Sequence, residues 1–133
     1  MPRKPSPVPT EAELELLKLV WKLGDATVRD VLEALPPERK LAYTTVMSMM
    51  RILERKGYLT HRAQGRAFLY QPRVSEDEVA EGMLSHLIDR MFEGSAELLM
   101  VKLLEASELT EEQLRMLKKK VEEAKQVEGE ASS

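Results

Sequence analysis

The stretch AYTTVMSMMRILERKGYL, Ala42 to Leu59, decides how the rest of the chain is read. At roughly 100° per residue a helix brings Val46, Met49, Met50 and Leu53 together on one side, which is expected to face a core. The opposite side then collects Thr44, Met47, Ser48, Arg51 and Arg55, with Thr45 and Ile52 on its flank. An ordinary solvated face interleaves Glu with Lys or Arg four residues apart, because such pairs stabilise the helix. Here Glu54, at the edge, is the only acid. Hydroxyls, a thioether and guanidinium forks are the chemistry of a major-groove reader. Arg offers two parallel donors to guanine, Ser and Thr bond bases or phosphates, and a thioether can meet the thymine methyl.

Upstream, Thr10 and Glu13 have the spacing of a capping box. Leu14, Leu17 and Trp21, joined by Leu16, Val20 and Leu23, recur at helical intervals until Gly24. Thr27 repeats the start signal for a short amphipathic helix through Val28, Val31, Leu32 and Leu35, ended by Pro36-Pro37. Helix 3 is expected from about Tyr43 to Lys56, closed by Gly57. Downstream, Tyr58 to Ala63 and Ala67 to Tyr70 read as strands, and Gln64-Gly65-Arg66 between them supplies a tight turn. Three helices and then a hairpin is the order of a winged helix-turn-helix. In that arrangement the N-terminal part of helix 3 meets base edges, so Thr44, Thr45, Met47, Ser48 and Arg51 are the first candidates. Arg55 and Lys56 are placed on backbone phosphate, and Arg62, Gln64 and Arg66 at the hairpin tip on phosphates or a minor groove. Phe68 and Tyr70 are expected to pack against the helices.

From Ser75 onward the pattern is helical. Ser75 with Glu78 opens a helix carrying Val79, Met83, Leu84, Leu87, Ile88 and Met91 up to Gly94. Ser95 opens another through Leu98, Leu99, Leu103 and Leu104, and Thr110 with Gln113 a third through Leu114, Leu117 and Val121. Three helices in a row cannot hide that much apolar surface among themselves, so a second copy is the expected cover. Met83, Leu87, Met91, Leu99, Leu103, Leu114, Leu117 and Val121 are the candidate dimerisation residues. The fold expected is therefore mainly α with a small β-hairpin. A disordered arm (1–9) precedes an N-terminal winged helix-turn-helix (10–73), a C-terminal helical dimerisation domain (74–126) and a disordered tail (127–133).

Charge divides along the same line. Residues 1–73 hold 13 Lys and Arg against 8 Asp and Glu, a balance of +5, and residues 74–133 hold 7 against 15, a balance of −8. A basic N-terminal half can hold a polyanion while the whole chain stays acidic at −3. With no cysteine, disulfides, thiolate catalysis and Cys-ligated zinc are excluded. His61 and His86 lack the spacing of a metal pair, and the 8 Met residues read as core and interface filler. No metal and no cofactor is expected. No catalytic set of residues is readable, so an enzyme is the weakest of the function classes. No apolar run nears the ~20 residues of a membrane span, and MPRKPSPVP lacks the apolar stretch of a signal peptide. The expected location is the cytoplasm. The alternative to a DNA-binding regulator is a winged-helix module whose basic face docks an acidic protein.

TEAELELLKLVWKLGDATVRDVLEALP, then LAYTTVMSMMRILERKGYL, then GRAFLYQP, resembles the penicillinase-repressor family of bacterial transcriptional regulators, which includes copper-responsive repressors. The likeness runs from Thr10 to about Lys125. It implies a repressor in which a homodimer binds a dyad-symmetric, double-stranded operator. By position, Tyr43, Thr44, Thr45, Ser48 and Arg51 match the family's recognition-helix segment, and Gly65-Arg66 matches the wing. There are two departures. In β-lactam-responsive members a regulatory protease cuts an Asn-Phe bond, where this chain has Lys102-Leu103, and in copper-responsive members paired Cys motifs sense the metal, where this chain has none. The resemblance thus implies a repressor and leaves the inducer, and any protease partner, open.

Overall fold

The structure, a computed structural model, describes residues 8–132. The expected arm therefore lies, up to Pro7, outside the described residues. Helix α1, Glu11–Leu23, begins on the expected capping box: the Glu13 N–H donates to the Thr10 hydroxyl and the Thr10 N–H to the Glu13 carboxylate. Helix α2, Val28–Ala34, starts on a second box formed by Thr27 and Asp30. It stops at Leu35, whose extended backbone (ψ 144°) is what a following proline imposes. Helix α3, Tyr43–Arg55, ends with the Tyr58 N–H bonded to the Leu53 carbonyl across Gly57, which takes φ 96°. Such a left-handed residue is the usual closure of a helix, and only glycine enters it without a penalty.

Strands β1, Leu59–Gln64, and β2, Ala67–Pro72, pair antiparallel from Leu59↔Pro72 to Gln64↔Ala67. The connection is a two-residue loop in which Gly65 has φ 62° and Arg66 has no positive φ. A positive φ at the first loop position alone is the type II′ hairpin turn, whose twist matches that of the strands. Ala26 adds a short third rung, exchanging both backbone hydrogen bonds with Tyr70 at 2.9 and 2.8 Å. The hairpin is thereby fastened to the loop between α1 and α2.

The core is the one read from the periodicities. Leu16, Leu17 and Val20 of α1, Val31 of α2, and Val46, Met50 and Leu53 of α3 are fully buried around Tyr58, Leu59 and Tyr70. Each fully buried aliphatic side chain contributes about 1.5–3 kcal/mol of burial energy. Two long-range bonds close it. The Lys56 ammonium lies 2.7 Å from the buried Glu13 carboxylate, and the Trp21 indole N–H donates to the Val74 carbonyl at 3.0 Å.

Helix α4, Glu76–Met91, follows, then α5, Ala96–Ala106, and α6, Glu111–Ser132. The chain divides into two compact units, the first ending at Leu87 and the second beginning at Ile88, so the division falls within α4. The compositional break after Arg73 lies earlier because Val79 and, partly, Met83 pack on the winged-helix core. Met83 thus differs from the other candidate dimerisation residues in being half-buried within the first unit. Leu99 is buried as well, whereas Leu87, Met91, Leu103, Leu114, Leu117 and Val121 are exposed. Helix α6 continues to Ser132, through the stretch read as a tail. A single interior glycine, Gly129, costs a helix only about 1 kcal/mol and does not end it.

Candidate nucleic-acid interface

Helix α3 stands with Val46, Met50 and Leu53 in the core and Thr44, Thr45, Ser48, Arg51 and Arg55 exposed, as its wheel predicts. Met47 is the intermediate case: it is half-buried, packs on the core and lines a cleft beside the helix. Its N-cap is Ala42, which has no side chain able to cap, so neither Thr44 nor Thr45 is used to hold the helix start. Both hydroxyls stand at the exposed end of the helix.

The charge pattern is sharper than the sequence implied. The one acid on this helix, Glu54, is engaged by the wing: His61 Nδ1 lies 2.6 Å from its Oε2, so with an ionised carboxylate that nitrogen carries the proton. Glu13 is bound to Lys56 and Glu15 to Arg39. These three carboxylates are thus already matched with basic side chains. Burial pushes the Glu13 carboxyl up, but the hydrogen bonds from Lys56 and Thr10, with the Lys56 charge, outweigh it and hold the group below its ordinary value of 4.5.

Beside α3 a cleft of about 440 Å3 opens between α2, α3 and the hairpin, walled by Tyr43, Met47, Phe68 and Tyr70. Arg29, Arg51 and Arg66 all line it, and none is in an ion pair among the described residues. The Arg29 guanidinium lies 5.7 Å from the centre of the Tyr43 ring, within cation–π range. Burial raises the Tyr70 phenol; Glu54 adds to the shift and Arg51 opposes it, so Tyr70 stays neutral and serves as floor.

Of the residues singled out from the sequence, Tyr43, Met47, Arg51 and Arg66 meet at this cleft, and Thr44, Thr45, Ser48 and Arg55 lie on the exposed face of α3. Arg62 does not join them. It pairs with Leu69, and period-two alternation sets it on the other face of the hairpin from His61, Phe68 and Tyr70. Phe68 also departs from expectation. It is 45% exposed and stacked on His61 at 4.2 Å, a wall of the cleft outside the core, whereas Tyr70 is buried as expected. Arg29 was not among the candidates, which all lie on helix 3 and the hairpin. Its signal was present: it follows the Thr27 cap on the polar side of α2, away from Val28, Val31 and Leu32.

An exposed helix face whose single edge carboxylate is bound by the wing, flanked by a basic cleft and a short hairpin, defines the class: a winged helix-turn-helix protein that binds nucleic acid. The sequence profile of the penicillinase repressors matches residues 9–123, and the chain belongs to that family. It is 29% identical over 122 residues to the penicillinase repressor of Bacillus licheniformis, covering 92% of this chain and 95% of that protein. To the transcriptional regulator BlaI of Mycobacterium tuberculosis it is 38% identical over 75 residues, 56% of this chain and 54% of that one. Among solved structures it is similar to the solution structure of the DNA binding domain of the repressor BlaI. The TM-score is 0.50 at 32% identity, with 56% of this chain and 92% of that one covered. The protein is a DNA-binding transcriptional repressor and not an enzyme.

Proposed function

We propose that the protein represses transcription in the cytoplasm as a homodimer, each copy laying α3 in a major groove of a dyad-symmetric operator and its wing on the flanking backbone. The observation that carries this is the exposed α3 face itself, whose only carboxylate is bound to His61 while Arg29, Arg51 and Arg66 beside it have no acidic partner among the described residues. Such a surface gains most from a polyanion, because each phosphate neutralised releases condensed counterions. Thr44, Thr45, Met47, Ser48 and Arg51 are assigned to base edges, and Arg55 and Arg66 to backbone. Arg62, on the face of the hairpin opposite His61, Phe68 and Tyr70, is assigned to phosphate beyond the cleft.

Pairing of two copies is supported by the second unit, where Leu98, Met100, Val101, Leu103 and Leu104 of α5 and Leu114, Met116, Leu117 and Val121 of α6 are all exposed. Monomeric proteins rarely leave so many large apolar groups in water, and such surfaces mark sites of protein association. The Lys102–Leu103 bond, at the family's protease position, lies within regular helix α5, so a protease acting there would have to unwind it. Among the described residues, no helix is long and apolar enough to cross a membrane and no cluster of metal-ligating groups occurs.

The test is selection of bound fragments from the native genome with random duplex as competitor, followed by a salt titration on the fragment recovered. About six to ten phosphate contacts give a slope of log K against log salt near −5 to −9. A complex that forms equally on all duplexes, or ignores salt, contradicts the reading.

A further inference from the structure

The cleft between α2, α3 and the wing presents a specific problem. Three guanidiniums line one recess of about 440 Å3 among aromatic and thioether walls, with no carboxylate among its lining residues. Like charges gathered at a partly apolar recess are stabilised when an anion enters, and the exposed reading face of α3 runs directly alongside. One of the three is also fixed in advance. Arg29 lies over the Tyr43 ring at 5.7 Å, so a long side chain that would otherwise lose its rotamer freedom on binding is already ordered. The opposite wall is similarly set: Phe68 is stacked on His61, and His61 is bound to Glu54 at the end of α3.

We propose that this cleft seats one backbone phosphate of the operator in each half-site, gripped by Arg29 from α2 and Arg66 from the wing, with Tyr43 positioning Arg29. The proposal rests on the DNA-binding reading and adds a phosphate contact from α2. Arg29 carries affinity and register, whereas Arg51, projecting from the reading helix, carries sequence discrimination.

Phosphate ethylation interference on the full-length protein with its operator tests it. Ethylation of one particular phosphate per half-site blocks the wild type and interferes less with Arg29→Ala and Arg29→Gln, in which Arg66 alone still holds that phosphate. The salt slope of both variants flattens by about one per half-site. Both weaken operator and random duplex by the same factor, while Arg51→Ala weakens the operator selectively. Arg29 is exposed and in no ion pair, so its variants lose only the contact with the Tyr43 ring and melt within a few degrees of the wild type. Tyr43→Leu reproduces the Arg29→Ala loss, and the double variant binds no more weakly than either single one. Additive losses would remove Tyr43 as the positioning residue. An Arg29→Ala protein with wild-type slope and interference pattern, beside an Arg51→Ala protein that still loses the operator, overturns the phosphate seat and leaves the DNA reading standing. If neither arginine matters, the DNA reading itself fails.

Discussion

Arg51 and Glu13 illustrate two ways a single side chain acts here. Arg51 projects from the exposed face of α3, where a guanidinium can bond guanine O6 and N7 together. Arg51→Ala is expected to cost about 1–3 kcal/mol on the operator and to relax preference at one base pair. Competition binding against a panel of operator variants measures both, and equal weakening on every duplex would deny it a base. Glu13 works from inside. Its carboxyl is held below 4.5, so the folded protein binds fewer protons there than the unfolded chain does. The stability it contributes is fully present above 4.5 and drains away as pH falls below that value. Urea midpoints at about pH 7 and about pH 3.5 should therefore fall further for the wild type than for Glu13→Gln. Lys56→Met, leaving a buried carboxylate with only its Thr10 bonds, is expected to cost about 1–3 kcal/mol at neutral pH. At this scale the sequence showed residue types but not pairings. The Thr10–Glu13 box was legible because it is local. The Lys56–Glu13 and His61–Glu54 contacts join residues 43 and 7 positions apart, and no spacing rule announces them.

Elements were the most readable level, since their causes are short-ranged. Capping pairs at Thr10, Thr27, Ser75 and Thr110, each with its partner three residues on, start four of the helices, and Gly24, the proline pair and Gly57 stop α1, α2 and α3 within a residue or two. What was not legible was orientation within the hairpin. Arg62 and Phe68 could be assigned a face only once the register was known, and a one-residue slip exchanges the faces. The turn that fixes this register rests on Gly65. A Cβ added there would meet no atom within 4 Å, so any cost of substitution is conformational. Gly65→Val is expected to destabilise the hairpin by about 1–2 kcal/mol and to weaken binding to operator and random duplex alike, while Gly65→Asn, tolerant of this φ, changes little. Circular dichroism melts and gel shifts on both variants check this. Equal behaviour of Val and Asn would show that the loop is not held at positive φ.

At the scale of the molecule, composition revealed two halves of opposite charge, and the structure has two compact units, though the division lies inside α4 and not at the charge boundary. Sequence periodicity found the apolar helices but could not separate Met83 and Leu99, which the chain covers itself, from Leu117 at 46% exposure and Met91 at 70%. Leu117→Asp places a charge in the stripe formed with Leu114 and Val121 on α6. It is expected to give monomers by sedimentation equilibrium that hold half-sites weakly, through loss of the second tethered grip. An unchanged dimer would take Leu117 out of the contact. Under the proposed pairing, the same unsheltered leucines and methionines would bring cellular dosage into the regulation. For the homodimer proposed above, when copies are scarce, the population competent to grip both halves of the operator grows as the square of copy number, so halving synthesis quarters it. Under the same proposal, solitary copies would carry that greasy flank into water, and any preferential clearance of them by quality-control proteases would steepen the switch between silence and expression.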